Sequence, residues 1–404
     1  MRLNRSILFL ALFVFTLSCS TASAGEPPRV FALDPALLAA VKGRVAAGDV
    51  RLTPAVERLR DEADAALREG PFSVTLTGPV PPSGDRHDYM SVGPYWWPDP
   101  AKEDGLPYIR RDGQVNPQYH EHDTKPCRQM CDVVETLALA YYLTGHEPYA
   151  ARAADLLQVW FWDAETRMNP HLEFGQAIPG RCTGRGIGLI DTCGFIKVGD
   201  AAGMLAGSES WTDKDQKALE DWFGKFLDWM LESRYGRDEA AAKNNHGTWY
   251  DAQVASYALF VGRDDVARRI LREAAEKRIA PQIEPDGRQP HELARTKSFS
   301  YSVMNLQGMF TLAALGERAG VDLWNFKTTD GRSICRAVDW LATYADGTAE
   351  WKNEQIGGVE PKLLYPLLRR AALEYGEPGY EKRIGEIPHF DPAAERTELL
   401  WPAR

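Results

Sequence analysis

The chain has 404 residues, 44% of them hydrophobic, with 47 basic against 57 acidic side chains and a formal net charge of −10. That length can bury a large core or be divided into two or three domains, and the acid excess disfavours a nucleic-acid partner, whose phosphates call for a basic face. It also exerts no long-range pull on an acidic polymer, so a polyanionic substrate has to be drawn by Lys and Arg gathered in a cleft.

The N-terminus carries Arg2 and Arg5, an apolar stretch from Ile7 to Leu17 that is too short to span a bilayer, and the small-x-small signal Ala22-Ser23-Ala24. Residues 1–24 are expected to be a cleaved signal peptide, making the protein periplasmic or secreted, with no membrane association after cleavage. Cys19 invites lipoprotein processing, but Thr16 stands where a lipobox has Leu. Loss of the leader leaves 45 basic and 57 acidic residues, a net charge of −12. No Ser/Gly-rich or charge-block linker divides the remainder, so residues 25–404 are expected to form one domain.

Apolar residues at three- and four-residue intervals predict helices over 54–68, 130–143, 149–161, 213–232, 248–261, 264–278, 302–319, 333–344 and 361–375. Thr212 and Thr53-Pro54 mark helix starts, and Gly145, Gly262 and Gly320 mark stops. Residues 72–77 give the best short β-pattern. Two segments interrupt the helices. Residues 78–125 are rich in Pro, Gly, Tyr, Trp and Asp, and residues 168–196 hold three Gly-x-Gly steps and two cysteines. Loops of this length are usually functional or disordered, and their aromatic content argues for order. The expected fold is therefore all-α: an α/α toroid, an incomplete barrel of paired antiparallel helices, with long aromatic-rich loops at one end.

Beyond the leader lie Cys127, Cys131, Cys182, Cys193 and Cys335, an odd number that leaves at least one thiol unpaired. Cys182–Cys193 is the pair to expect first. Cys127 and Cys131, four residues apart, are read as packing residues, because a zinc site needs two further ligands.

The densest chemistry is Lys243-Asn244-Asn245-His246-Gly247-Thr248-Trp249-Tyr250, two carboxamides and an imidazole at the start of a helix. Some fifty residues on come Arg295 and Tyr301. Elimination at a 1,4-linked uronate requires neutralising the carboxylate, so that the neighbouring C5 proton becomes acidic, as an oxyanion hole stabilises developing charge. A base then takes that proton and an acid protonates O4. Asn245 and His246 can supply neutralising donors, Arg295 a cation, and Tyr301 the proton-transfer oxygen, with the cation expected to favour tyrosinate. Each residue also has an ordinary reading: an Asn helix cap, an interior His, a surface Arg pair, a core Tyr. Their conjunction carries the weight.

These residues resemble the bacterial alginate lyase family, in particular the branch of alginate and glucuronan lyases with α/α-toroid folds. The resemblance runs over His87-Asp88-Tyr89, Gly93-Pro94-Tyr95-Trp96-Trp97-Pro98-Asp99-Pro100, Pro107-Tyr108-Ile109-Arg110-Arg111-Asp112-Gly113, Gly184-Arg185-Gly186-Ile187-Gly188, the Asn244–Tyr250 block, Glu292-Leu293-Ala294-Arg295 leading to Tyr301, and Trp351-Lys352-Asn353-Glu354-Gln355. It implies a lyase whose substrate partner is an acidic polysaccharide, with no cofactor and no metal. Asn245, His246 and Arg295 would bind the uronate carboxylate, and Tyr301 would be base and acid. One tyrosine serves both roles in syn elimination, the geometry of mannuronate and glucuronate. Guluronate, inverted at C5, needs a second group, for which His246 is the candidate.

Tyr89, Tyr95, Trp96 and Trp97 are candidate sugar-stacking residues, and Arg110, Arg111, Lys125, Arg181 and Arg185 are candidates for neighbouring carboxylates. Asn244, Tyr250, His291 and Glu354 complete the set of expected substrate contacts. His291-Glu292 fails as a zincin motif because Arg295 takes the place of the second histidine. His120-x-His122-Asp123 lacks partners for a metal site, and Gly184–Gly188 has the wrong spacing for a dinucleotide fingerprint. Two rivals remain. One is a glycoside hydrolase on the same toroid using carboxylates among Asp191, Glu292 and Glu354; the other is an exported polysaccharide-binding protein without turnover.

Overall fold

The computed structural model describes residues 27–76 and 78–403, so the expected signal peptide and Cys19 lie outside the described residues. Helices dominate, packed as an α/α toroid. The Thr124–Thr144 helix lies against Glu147–Phe161 and Phe195–Leu205, and Asp213–Glu232 against Asn245–Phe260. Asn245–Phe260 in turn contacts Asp264–Ala274 and Ser298–Ala319. One apolar core extends from Val30 to Leu399, with aromatic rings from Phe161, Phe195, Trp222, Phe223, Phe226 and Tyr257 meeting edge-on or tilted at its centre. Among the described residues, no helix is long and apolar enough to cross a membrane.

Local chemistry explains most boundaries. Thr212 accepts from the Asp215 amide while Asp215 accepts from the Thr212 amide, a capping box that starts Asp213–Glu232. Thr124–Thr144 and Ser298–Ala319 end at Gly145 and Gly320, both left-handed at φ 70°. Asn245–Phe260 has no polar face, and all of its residues from Tyr250 onward are buried. A helix without an amphipathic stripe belongs inside, its buried Asp251 and Gln253 bonded to Arg278 and Thr192, which makes it the inner strut of the site.

Several expectations are corrected. Residues 72–76 form no strand: Ser73 bonds to Thr75 and to the Thr166 carbonyl, and the segment turns on itself without a partner strand. The helix expected over 264–278 is α only through Ala274 and continues as a π turn, Ala275–Ile279. Helices Pro35–Ala46, Phe195–Leu205, Arg234–Ala240 and Pro378–Gly385 were not anticipated. Cys182 and Cys193 are not paired, and all five described cysteines are free. Cys182 closes the Ile178–Cys182 turn, whereas Cys193 sits near Cys131 and Arg128.

The two long loops are ordered against each other. Met90–Val92 pairs in parallel with Phe174–Ala177, and Trp96–Trp97 pairs antiparallel with Ile109–Arg110. The second loop also folds on itself at Gly175 and Gly188, where a Cβ on Gly188 would lie 2.6 Å from the Gly175 carbonyl carbon. Only glycine permits that approach.

Candidate active site

A cavity of about 540 Å³ opens where these loops cover the N-termini of Asn245–Phe260 and Ser298–Ala319. Asn244, Asn245, His246, Arg295 and Tyr301 all line it, together with Tyr95, Trp96, Arg110 and Arg185.

The first helix start is held by a buried cation. Arg278, on the π turn, pairs with Asp251 at 2.7 and 3.1 Å and donates to the carbonyls of Ala240 and Ala242, each at 2.8 Å. A π turn commonly marks a functional position; here it carries the guanidinium that clamps the strand of chain leading into Asn244. Gly247 makes room for the clamp, since a Cβ there would lie 2.1 Å from the Ala242 oxygen and 2.3 Å from Arg278 Nη1. Asn244 occupies the N-cap position but makes no side-chain cap bond, so its amide is not committed to the helix.

The second helix start is stitched from downstream. The Ser298 amide and hydroxyl donate to the Glu354 carbonyl at 3.1 and 2.6 Å, and the Phe299 amide donates to Gln355 Oε1 at 2.9 Å. Tyr301, one turn on, thereby has a fixed backbone.

Around Tyr301 the polar contacts are dense. Its hydroxyl lies 2.6 Å from the Tyr95 hydroxyl and accepts from Arg295 Nη2 at 3.2 Å, and the guanidinium sits 4.1 Å from its ring centroid. Arg295 is paired with Asp112 at 2.9 and 3.1 Å, and Asp112 also takes Arg110 at 2.8 Å and the Thr296 hydroxyl at 3.1 Å. Burial pushes the Asp112 carboxyl up, but Arg295 and then Arg110 outweigh it and hold it well below the usual carboxylate range. The expected depression of the Tyr301 hydroxyl is not found. Burial and the neighbouring Tyr95 raise it, and Arg295, already compensated by Asp112, offsets only part of that rise.

His246 Nδ1 lies 2.7 Å from the carboxylate of Glu239, which is buried. That contact fixes the ring and leaves Nε2 for the cavity. Asn245 is held differently: its backbone N–H and its Nδ2 donate to the two oxygens of Glu292, both at 2.7 Å, while its Oδ1 is buried without a partner.

Other expected residues fall outside the cavity. Tyr89 is fully buried, its hydroxyl donating to Asp191 at 3.1 Å, so no ring face is left for a sugar. Tyr250 is likewise a core residue, donating to the Met230 carbonyl at 2.9 Å. Trp97 donates to the Gln114 carbonyl and stacks on Arg111 beside the cavity. Lys125 and Glu354 are exposed and do not line it. His291 lines a separate hollow of about 340 Å³ with Lys243 and Lys277. Trp96 does face the cavity, with Arg181 and Arg185 at 5.1 and 6.0 Å from its ring centroid.

The wall also holds residues that the motifs did not single out. Lys297 and Ser300 lie between Arg295 and Tyr301 and were within reach of that motif; Arg128 and Tyr119, bonded at 2.8 Å, sit outside every motif. Gln176 has φ +49°, rare for a residue with a side chain, and accepts twice from Arg185 at 2.8 and 3.0 Å. Nothing local in the sequence announces that conformation.

Among the described residues that line the cavity none is acidic, whereas Arg110, Arg128, Arg185, Arg295 and Lys297 all do. Although the chain is acidic overall, its cleft is cationic, as a polyanionic substrate requires. Asp191, one of the three carboxylates of the hydrolase reading, lies outside it and accepts from Ser91, Gln176 and Tyr89.

Comparison with known proteins agrees with this architecture. The alginate lyase family model matches residues 73–351. The crystal structure of an alginate lyase from Bacteroides ovatus is 42% identical, covers 93% of this chain and 99% of its own, and superposes with a TM-score of 0.89. Alginate lyase A1-III from Sphingomonas species A1 shares 18% identity over 93% of this chain and 96% of its own, with a TM-score of 0.57. A histidine-to-alanine variant of A1-III complexed with a tetrasaccharide shares 17% identity over 94% and 97%, with a TM-score of 0.59. No curated protein sequence matches the chain.

Proposed function

The chain belongs to the alginate lyase family, and from that premise we propose that this polysaccharide lyase cleaves 1,4-linked polyuronate by β-elimination. The products are oligomers with a 4,5-unsaturated uronate at the new end. Alginate rich in mannuronate is the first substrate, and glucuronan, which differs from it only at C2 of each sugar, is the second. The observation that carries the reading is the meeting of Tyr301, Arg295, Asn245 and His246 in one cavity that, among the described residues, no carboxylate lines.

The steps follow from the groups present. The uronate carboxylate docks against Arg295, His246 and the Asn244–Asn245 amides, which withdraw its charge and make the C5 proton removable. Deprotonated Tyr301 takes that proton, the electron pair forms the C4–C5 double bond, and the C4–O4 bond breaks. Because C5–H and O4 lie on the same face in mannuronate, the Tyr301 hydroxyl then returns the proton to O4. Arg295 stabilises the tyrosinate from 3.2 Å, while Tyr95, with its hydroxyl 2.6 Å away, holds the neutral phenol and so opposes its ionisation. Trp96 offers a ring to a neighbouring sugar, and Arg110 and Arg185 offer cations to its carboxylate. With its expected leader removed, the enzyme would work in the periplasm or outside the cell.

The test is a screen of purified protein on polymannuronate, polyguluronate and glucuronan, following the conjugated product at about 235 nm. Absorbance growth on polymannuronate is expected. New reducing ends without absorbance would instead establish hydrolysis, and growth on polyguluronate alone would overturn the syn mechanism.

A further inference from the structure

Asn245 is turned the wrong way for its task. A group that neutralises a carboxylate must offer N–H, yet Asn245 Nδ2 is spent on Glu292 at 2.7 Å and the amide oxygen is left buried and unpartnered. A buried unpartnered oxygen is costly, and beside an arriving carboxylate it is also repulsive. Glu292 is itself fully buried and accepts both the backbone N–H and the Nδ2 of Asn245.

A single proton resolves both faults. With hydrogen on its Oε2, Glu292 becomes a donor at the point where Nδ2 now sits. Rotating the Asn245 amide by half a turn brings Oδ1 to that point and releases Nδ2. Oε1 continues to accept the Asn245 backbone N–H, so the helix start is undisturbed. We infer that Glu292 is a positioning residue for Asn245: docking of a uronate carboxylate draws a proton from solvent onto Glu292, and the protonated acid holds the Asn245 amide with its N–H₂ toward the substrate. This rests on the uronate reading of the cavity.

The surroundings favour proton uptake. Burial pushes the Glu292 carboxyl up, and the Asn245 donors, Arg295 and His246 oppose it. Arg295 is paired with Asp112, and the His246 ring is held by Glu239, so neither is wholly available to Glu292. A second carboxylate brought to Asn245 adds a like charge, which raises Glu292 further.

Calorimetric titration of Tyr301→Phe with mannuronate and guluronate tetramers, in buffers of different ionisation enthalpy over about pH 6 to 9, measures proton uptake without turnover. Uptake approaching one proton per bound oligomer is expected with Glu292 and is expected to be lost in Tyr301→Phe/Glu292→Gln. Glutamine, which donates through Nε2 and accepts through Oε1, mimics the protonated acid. In the protein with Tyr301 intact, Glu292→Gln should keep kcat and remove the rise in KM with pH, roughly tenfold per unit above the titration. If neither these tetramers nor a glucuronate tetramer binds, the uronate reading of the site falls. If a tetramer binds without proton uptake, the uronate reading stands and the Glu292 inference is overturned, whatever the fate of the glutamine variant. A Glu292→Gln variant that folds but cannot bind would overturn it equally.

Discussion

The hydroxyls of Tyr301 and Tyr95 lie 2.6 Å apart, linking the start of the Ser298–Ala319 helix to the aromatic loop across the cavity. After burial, this contact is the foremost reason that the Tyr301 hydroxyl is raised. Tyr95→Phe should therefore lower it. If tyrosinate is the base, activity rises with pH as Tyr301 ionises, so the rising limb of kcat/KM should move to lower pH in the variant. A limb that stays in place or moves up would detach Tyr95 from the base.

Tyr301→Phe removes the proton-transfer oxygen but keeps the ring against Arg295. Loss of general acid and base catalysis should cost about 10²–10⁴-fold in kcat or more, with oligouronate binding retained. Single-turnover absorbance and equilibrium binding on the same preparation separate the two effects. A variant with near-normal turnover would exclude Tyr301 from the chemistry.

Asp112 holds Arg295, Arg110 and Thr296 together. Asp112→Ala leaves a half-buried guanidinium unpaired and should cost about 1–3 kcal/mol of stability, with a fall in kcat/KM of at least tenfold as Arg295 loses its position. The sign of the pH effect follows from the depressed carboxyl. Its contribution is present above the unfolded value near 4 and is lost only as pH falls through the lower folded value. Thermal melts of the two proteins should thus differ by a constant amount from neutrality down to about pH 4 and converge only in stronger acid.

Glu239→Ala frees the His246 ring, whose Nδ1 it holds at 2.7 Å. The expected outcome is a loss in kcat/KM of roughly ten- to a hundredfold, the scale seen when an orienting partner of a functional histidine is removed. Glu239→Gln, which can still accept, should recover part of it. Equal loss in both variants would point to charge rather than orientation.

Gly184 precedes Arg185, and a Cβ there would fall 1.9 Å from the Glu173 carbonyl oxygen. Backbone cannot yield as a side chain can, so Gly184→Ala should destabilise by about 1–3 kcal/mol and displace the Arg185 cation. Differential scanning calorimetry reads the first effect and KM for polymer the second.

Helices with strong apolar periodicity were legible to within a few residues: residues 213–232 were expected and Asp213–Glu232 is observed. The failures have physical causes. Phe195–Leu205 is short, almost wholly apolar and preceded by glycines, so it reads as the tail of a loop until the core around Phe161 and Trp222 is seen to enclose it. The π turn carries Arg278 to Asp251, a contact 27 residues away in sequence that no local pattern encodes. Asn245 with His246, and Arg295 with Tyr301, could be singled out as candidates because the members of each pair stand close along the chain. Their partners Glu239 and Asp112 could not, since a carboxylate's role depends on which ring or guanidinium the fold sets beside it. Tyr89 and Tyr250 were misplaced because an aromatic in a motif looks the same whether it faces a sugar or the core.

The stitching of Ser298 and Phe299 to Glu354 and Gln355 also sets an order of assembly. Every side chain named for the chemistry has been made once residue 301 leaves the ribosome, yet the turn that aims Tyr301 lacks its bonds to Glu354 and Gln355 until some fifty more residues follow. A nascent chain released before residue 354 would hold all the reactive groups and still lack a working centre, so competence to cut polymer arrives late, with the closing of the ring rather than with the last catalytic residue.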